Sequence, residues 1–136
     1  MALIITRGYK DPWDYPKTIE ELKELIKARK ADEQEWLCDL SEIYPPMEVL
    51  NRGLFSECTS LVDVIIPDSV TEIGESAFND CSALKKVVLS ADVKRIHKNA
   101  FDGCNALQKI YVPARKSACF ETRLSPSLHS KIVELA

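Results

Sequence analysis

Residues 55–77 read FSECTSLVDVIIPDSVTEIGESA, and residues 78–100, which follow directly, read FNDCSALKKVVLSADVKRIHKNA. Both segments are 23 residues long, they share apolar residues at matching positions, and a third copy begins at residue 101. The matching columns are Phe55, Phe78 and Phe101; Cys58, Cys81 and Cys104; and Leu61, Leu84 and Leu107. A fixed repeat of roughly 20–30 residues is typical of a solenoid, in which each repeat buries its apolar side against the next.

Each repeat contains one segment with the periodicity of a strand. Val64 and Ile66 lie two residues apart, so their side chains share one face, and Ile65 between them points to the other. Equivalent strands one repeat apart should lie side by side in parallel, at about 4.8 Å. The spacing therefore predicts a short parallel sheet backed by columns of buried Phe, Cys, Leu, Val and Ile.

The same interval relates several charged residues. Glu72 precedes Arg95, Glu75 precedes Lys98, and Asp63 precedes Lys86 by one repeat, so each pair should be neighbours on adjacent repeats. The basic run at 94–98 is then a solvated surface in which two members face acids. The net charge of −3 likewise gives no reason to expect nucleic acid as a partner.

The text FSECTSLVDVIIPDSVTEIGESAFNDCSAL (55–84), with a second copy ending in AFDGCNAL, resembles the BspA-like class of leucine-rich repeats. The stretch LQKIYVPARKSACFETRLSPSLHSKIVEL (107–135) is similar to the closing segment of such proteins, where a short helix and a last apolar strand follow a strand ending in VP. The resemblance implies an α/β fold: a right-handed leucine-rich-repeat solenoid with a short parallel sheet, an N-terminal helical cap and a C-terminal cap. It also implies adhesion or recognition roles, often at microbial surfaces.

The second copy departs from the pattern at two positions. Ser90 stands where Pro67 and Pro113 stand, and His97 stands where Gly74 stands. If Gly74 has a positive φ, His97 must be strained or its turn must differ.

We expect a single domain over residues 1–136: an N-terminal cap of a strand and a helix (1–35), the repeats (36–113) and a C-terminal cap (114–136). The strand of this N-terminal cap is predicted at Ala2–Thr6, and DPWDYP (11–16) reads as a turn-rich link. The helix is predicted over TIEELKELIKARK (18–30), where Thr18 and Glu21 form a capping box. Its mostly apolar face consists of Ile19, Leu22, Leu25, Ile26 and Arg29.

Residues 36–40 read as an earlier, degenerate strand of the repeat sheet. Cys38 and Leu40 would occupy the columns of Val64 and Ile66. The segment that follows is longer than its counterpart in the later repeats, so this repeat should bulge.

The chain has five cysteines and shows no secretion signal, which favours reduced thiols in the cytoplasm. A secreted or surface location follows instead if a leader has been removed. The apolar run at the N-terminus is four residues long, too short for a membrane span.

Few residues offer chemistry. The stacked Cys58, Cys81 and Cys104 lie within range of disulfides, but a ladder of thiols does not converge on a metal ion, and packing is the better interpretation. His97 and His129 lie in no catalytic motif, and no phosphate-binding, dinucleotide-binding or zincin motif occurs. We therefore expect a non-catalytic protein that needs no cofactor.

The outward face of the repeat sheet is the candidate site for binding another protein. One predicted row holds Asp63, Lys86 and Lys109, and the next holds Ile65, Val88 and Tyr111. An apolar row flanked by charges fits a small protein-binding surface, although strands favour β-branched residues in any case. The alternative is that this row, or an open sheet edge, joins copies of the chain into a homodimer or larger assembly.

Overall fold

The computed structural model describes residues 13–135, so the strand predicted at Ala2–Thr6 lies outside the described range. The described elements, in chain order, are β1 (Trp13–Asp14), α1 (Ile19–Asp32), β2 (Trp36–Asp39), β3 (Val49–Leu50), β4 (Leu61–Ile65), β5 (Glu72–Ile73), β6 (Lys86–Val88), β7 (Arg95–Ile96), β8 (Lys109–Val112), α2 (Ser117–Glu121), a 3₁₀ helix (Pro126–Lys131) and β9 (Ile132–Glu134).

The main sheet confirms the predicted parallel pairing. Within residues 13–135 it contains six strands in the order β1-β2-β4-β6-β8-β9, and every neighbouring pair is parallel. Val64 pairs with Val87, and Val87 with Ile110, so equivalent residues one repeat apart are directly adjacent. Cys38 pairs with Val64, as predicted, although the register shifts between Trp36 and Leu37.

A second parallel sheet runs in the order β3-β5-β7. Its strands are two residues long, and Ile73 pairs with Leu50 on one side and Ile96 on the other. Ile73 and Val64, from the two sheets, belong to the same buried cluster. Each central repeat thus contributes one strand to each sheet and fills the space between with apolar side chains.

The three phenylalanines of the repeat form a stack inside this core. The ring centroids of Phe55 and Phe78 lie 5.1 Å apart, and those of Phe78 and Phe101 lie 5.2 Å apart, with planes 2° from parallel in both cases. This interval is close to the spacing of about 4.8 Å between strands, because each ring stands at the same position of its repeat.

The helix α1 begins as predicted. The Thr18 side chain accepts a hydrogen bond from the Glu21 backbone N–H at 3.0 Å. In a standard capping box the Glu21 carboxylate would accept a hydrogen bond from the backbone N–H of Thr18. Here it accepts one from the backbone N–H of Lys17, the residue before Thr18. Leu22 and Ile26 are buried in the common core, which fixes the face that the helix turns inward.

The segment read as a turn-rich link contains a strand, so that interpretation was wrong in part. Trp13 and Asp14 pair in parallel with Leu37 and Cys38. Arg29 of α1 holds this strand through an ion pair with Asp14, at 3.2 Å. Prolines flank the two paired residues, and such a short strand has no periodicity to reveal it.

Gly74 does not have a positive φ, so His97, one repeat later, requires no strained turn. What Gly74 supplies is space: a Cβ there would lie 2.7 Å from the Leu50 carbonyl oxygen. Positive φ occurs elsewhere, at Glu57, Asp80 and Gly103, which occupy one column of the repeat.

The chain closes with α2, the 3₁₀ helix and β9, which confirms the predicted order of a short helix and a last apolar strand. Phe120 and Leu124 are buried in the same core as the repeats. β9 extends the main sheet beside β8, pairing Val133 with Tyr111. Within residues 13–135, no helix has the length and apolar character needed to cross a membrane.

Candidate functional site

The six predicted surface residues lie together on the main sheet. Asp63, Lys86 and Lys109 are consecutive partners across β4, β6 and β8, and we call them the charged row. Two residues further along the same strands lie Ile65, Val88 and Tyr111, which are also consecutive partners. We call these three residues the apolar row.

Both rows continue onto strands that the repeat spacing did not assign to the site. Leu37 of β2 pairs with Asp63, and Asp39 of β2 pairs with Ile65. At the other end, Val133 of β9 pairs with Tyr111. The alignment of Cys38 with Val64 contained the signal for Leu37 and Asp39, whereas Val133 follows no 23-residue spacing.

The apolar row differs in exposure from the two lysines of the charged row, whereas Asp63 is half-buried like the apolar row. Ile65, Val88 and Tyr111 are each half-buried, while Lys86 and Lys109 are exposed. The inward residues between them are fully buried; Val64, for example, is 0% exposed. The face therefore presents an apolar strip beside exposed lysines, which resembles the apolar centre and polar rim of protein interfaces.

Asp63 is the most constrained charge on this face. Its Oδ1 atom is buried and has no hydrogen-bond partner among the residues that the structure describes. Burial raises the pKa of the Asp63 carboxyl, and the positive charges of Lys86 and Lys85 act in the opposite direction. Lys86 is its partner in the sheet register, yet no ion pair within 4.0 Å joins the two in residues 13–135.

A groove borders the apolar row where the strands of the main sheet end. Its volume is about 650 Å³, and its lining is mainly apolar. The residues that form it include Ile65, Val88, Pro67, Ala91, Pro113 and Leu135. Because equivalent positions of successive repeats line it, the groove continues the apolar row rather than forming a separate site.

The predicted charge pairs of the second sheet are partly correct. Arg95 and Glu72 form an ion pair at 3.2 Å, as the spacing predicts. Glu75, however, pairs with Arg52 of the preceding repeat at 3.7 Å, and the described ion pairs of residues 13–135 do not include one with Lys98. Glu75 thus reaches back along the repeats instead of forward.

The cysteine column is a packing element whose thiols bond to the backbone. The Cys81 thiol donates to the Phe55 carbonyl oxygen, and the Cys104 thiol donates to the Phe78 carbonyl oxygen, both at 3.0 Å. Hydrogen bonding with the Cys104 and Cys58 thiols, together with burial, raises the pKa of the Cys81 thiol. All five cysteines are free, and no cluster of metal-ligating side chains occurs within residues 13–135.

The two histidines have structural contacts. The exposed His97 accepts a hydrogen bond at Nδ1 from the Asn99 backbone N–H, at 3.3 Å. The Nε2 atom of His129 lies 3.0 Å from the Leu124 carbonyl oxygen, between α2 and the 3₁₀ helix. The first contact is local to the turn at His97, and the second links the 3₁₀ helix to the segment that precedes it.

A family model described as "BspA type Leucine rich repeat region (6 copies)" matches residues 36–125. No curated protein and no solved structure matched the chain.

Proposed function

Because the chain belongs to the BspA-type leucine-rich repeat family, whose repeats generally mediate protein interaction, we propose that it is a non-catalytic protein-interaction module. The binding surface is the outward face of the main sheet, formed by the charged row and the apolar row. The family is typically non-enzymatic, which agrees with this role.

One observation carries this assignment. The half-buried Ile65, Val88 and Tyr111 are adjacent partners on three consecutive strands, so they form a continuous apolar strip rather than scattered exposed residues. The groove beside the strip adds apolar surface at the ends of the same strands. A protein partner that covers the strip would also meet the exposed lysines.

The overall shape is part of the proposal. We infer a right-handed solenoid over residues 36–113, with residues 1–35 and 114–136 closing its two ends. The buried Leu22 and Ile26 of α1 support the first closure, and the buried Phe120 and Leu124 support the second. A cytoplasmic location is also proposed, on the odd number of free cysteines. A role in adhesion at a cell surface is the remote alternative.

Site-specific photo-crosslinking tests the proposed surface. Tyr111 is replaced by the photoreactive residue benzoylphenylalanine, and Lys27, exposed on α1, is replaced in the same way as the control. On irradiation in cells that express the protein, the Tyr111 variant should yield covalent protein adducts that the Lys27 variant does not. Equal adducts from both positions, or none from Tyr111, would contradict the assignment of this face.

The second candidate is self-assembly through the same face. It is favoured by the arrangement of charges on the rows, in which acids and lysines occupy different strands. The mass of the crosslinked adduct separates the two candidates, since a self-adduct has twice the chain mass of 15.3 kDa.

A further inference from the structure

The charges on the outward face are divided between its two ends. β2 and β4 carry Asp39 and Asp63, whereas β6 and β8 carry Lys86 and Lys109. A surface with acids at one end and bases at the other is complementary to itself after a half-turn. We propose that this face binds a second copy of the chain face to face, an inference that rests on the proposed function of the face.

The required arrangement has a two-fold axis parallel to the strands, lying between the two faces and passing between β4 and β6. This axis sets β4 of one copy over β6 of the other, so that Asp63 faces Lys86 and Ile65 faces Val88 across the interface. Each contact occurs twice, because the interface is isologous. The central pairs are then two opposite-charge pairs and two apolar pairs.

The same axis sets β2 over β8, and the outer pairs are also compatible. Asp39 of one copy faces Tyr111 of the other, whose hydroxyl is a donor for a carboxylate. Leu37 faces Lys109, whose aliphatic stem can lie along an apolar side chain while its ammonium group reaches water. No outer contact sets like charges against each other.

Neighbouring positions of the axis are unfavourable. An axis through β4 sets Asp63 of one chain against Asp63 of the other. An axis through β6 sets Lys86 of one chain against Lys86 of the other. Like charges directly opposite each other destabilise a contact, so charge selects the position between the two strands.

The contact area limits the strength of this association. Four strands spaced about 4.8 Å apart and two rows of side chains give a contact patch of a few hundred Å² on each copy, below the roughly 800 Å² typical of a stable complex. The grooves of the two copies would face each other, so the ends of the strands would add little to the contact area. We therefore expect a dimer that dissociates on dilution, with a Kd on the order of 100 μM.

Sedimentation equilibrium between about 10 μM and about 1 mM tests the inference, with charge-swapped chains as variants. Asp63→Lys sets lysines opposite lysines, and Lys86→Asp sets carboxylates opposite carboxylates, so each should weaken self-association at least about tenfold. An equimolar mixture of the two variants should associate again, because both central pairs then combine opposite charges. Glu72→Lys on the second sheet is the matched control and should leave self-association unchanged.

The restored mixture distinguishes the proposal from a folding defect, since an unfolded variant cannot recover binding. Lys86 is exposed, so Lys86→Asp alone must weaken the dimer even if Asp63→Lys disturbs the fold. A wild-type chain that stays monomeric throughout overturns the proposal, as does a dimer that neither swap weakens. If the chain is monomeric while benzoylphenylalanine at Tyr111 captures other proteins, the self-pairing fails and the proposed function stands. If that position captures nothing, both fail.

Discussion

The carbonyl oxygen of Leu50 lies 2.7 Å from the position that a Cβ atom would take on Gly74. The backbone N–H of Gly74 donates to this same carbonyl at 2.8 Å, so the two repeats are held together at the point where space is smallest. Glycine is required here by a close approach of two backbones rather than by its own dihedral angles.

Gly74→Ala should therefore destabilise the protein by about 1–3 kcal/mol, because the added methyl group forces the two backbones apart. His97→Ala is the matched control, since residue 97 occupies the same column and already carries a Cβ atom. Its effect should stay within about 0.5 kcal/mol. Urea denaturation measures both, and equal losses would contradict the explanation by close approach.

The phenylalanine stack predicts a graded series. Phe78→Ala should lower the free energy of unfolding by about 3–5 kcal/mol, because Phe78 is fully buried between two rings. Phe101→Ala should cost less, since Phe101 stacks on one ring of the series and is 6% exposed. Thermal unfolding followed by circular dichroism can rank the stabilities of the two variants. The reverse order would show that ring stacking does not determine how much stability each variant loses.

The column of positive φ predicts substitutions of opposite sign. Gly103→Ala should destabilise more than Gly53→Ala, because both have positive φ but the new Cβ at 103 would also crowd the backbone of Asp80 at 3.0 Å. Glu57→Gly should stabilise by up to about 1 kcal/mol, because it relieves a non-glycine residue at φ 62°. Denaturant midpoints of the three variants give the comparison. A destabilising Glu57→Gly would mean that contacts of the Glu57 side chain outweigh the strain.

Asp63 predicts a dependence of stability on pH. Burial raises the pKa of this carboxyl in the folded protein above its unfolded value of about 3.9. The folded state then binds the proton more tightly than the unfolded state. Asp63 therefore lowers the free energy of unfolding as the pH rises from the unfolded pKa through the folded pKa, and it has no such effect below the unfolded pKa. Asp63→Asn should be more stable than the wild type at pH 7, by less than about 1 kcal/mol given partial screening by solvent.

This advantage of Asp63→Asn should disappear as the pH is lowered below about 4. Unfolding of dilute protein at a series of pH values is the measurement. Asp68→Asn, an exposed aspartate of the same repeat, controls for the loss of one negative charge. A difference that does not change with pH would exclude titration of Asp63 as its cause.

The packing of α1 against the repeats predicts that the helix contributes to the stability of the repeats. Leu22→Ala should destabilise by about 2–5 kcal/mol, because Leu22 is fully buried in the common core. Leu25→Ala, at a partly buried position of the same helix, should cost less. A single unfolding transition that shifts with Leu22→Ala supports the closing role, and a repeat transition left unchanged would contradict it.

The interval of 23 residues was enough to predict which side chains become neighbours. It correctly aligned Asp63 with Lys86 and Val64 with Val87, because a parallel register converts equal spacing into adjacency. The same reasoning failed for Glu75, since its half-buried side chain lies between two neighbouring repeats, and here its carboxylate pairs with Arg52 of the preceding one.

Other features left little trace in the sequence. β1 and the strands of the second sheet are two residues long, and two residues carry no measurable periodicity. The role of Gly74 was equally hidden, because the conflict that excludes a side chain there lies with Leu50, 24 positions earlier. The repeat spacing predicted that Ile65, Val88 and Tyr111 are neighbours on the outward face. It did not predict Val133, because β9 does not belong to a repeat.

The strands of the main sheet follow one another in space in the order in which they follow one another along the chain. A gene could therefore gain or lose the segment from Phe78 to Ala100 without rewiring any other strand, since both junctions would still read Ala-Phe. Each such event would widen or narrow the outward face by one strand, about 4.8 Å, and would change the number of lysines along it. Duplication of a single segment would thus enlarge the proposed binding surface without any point mutation.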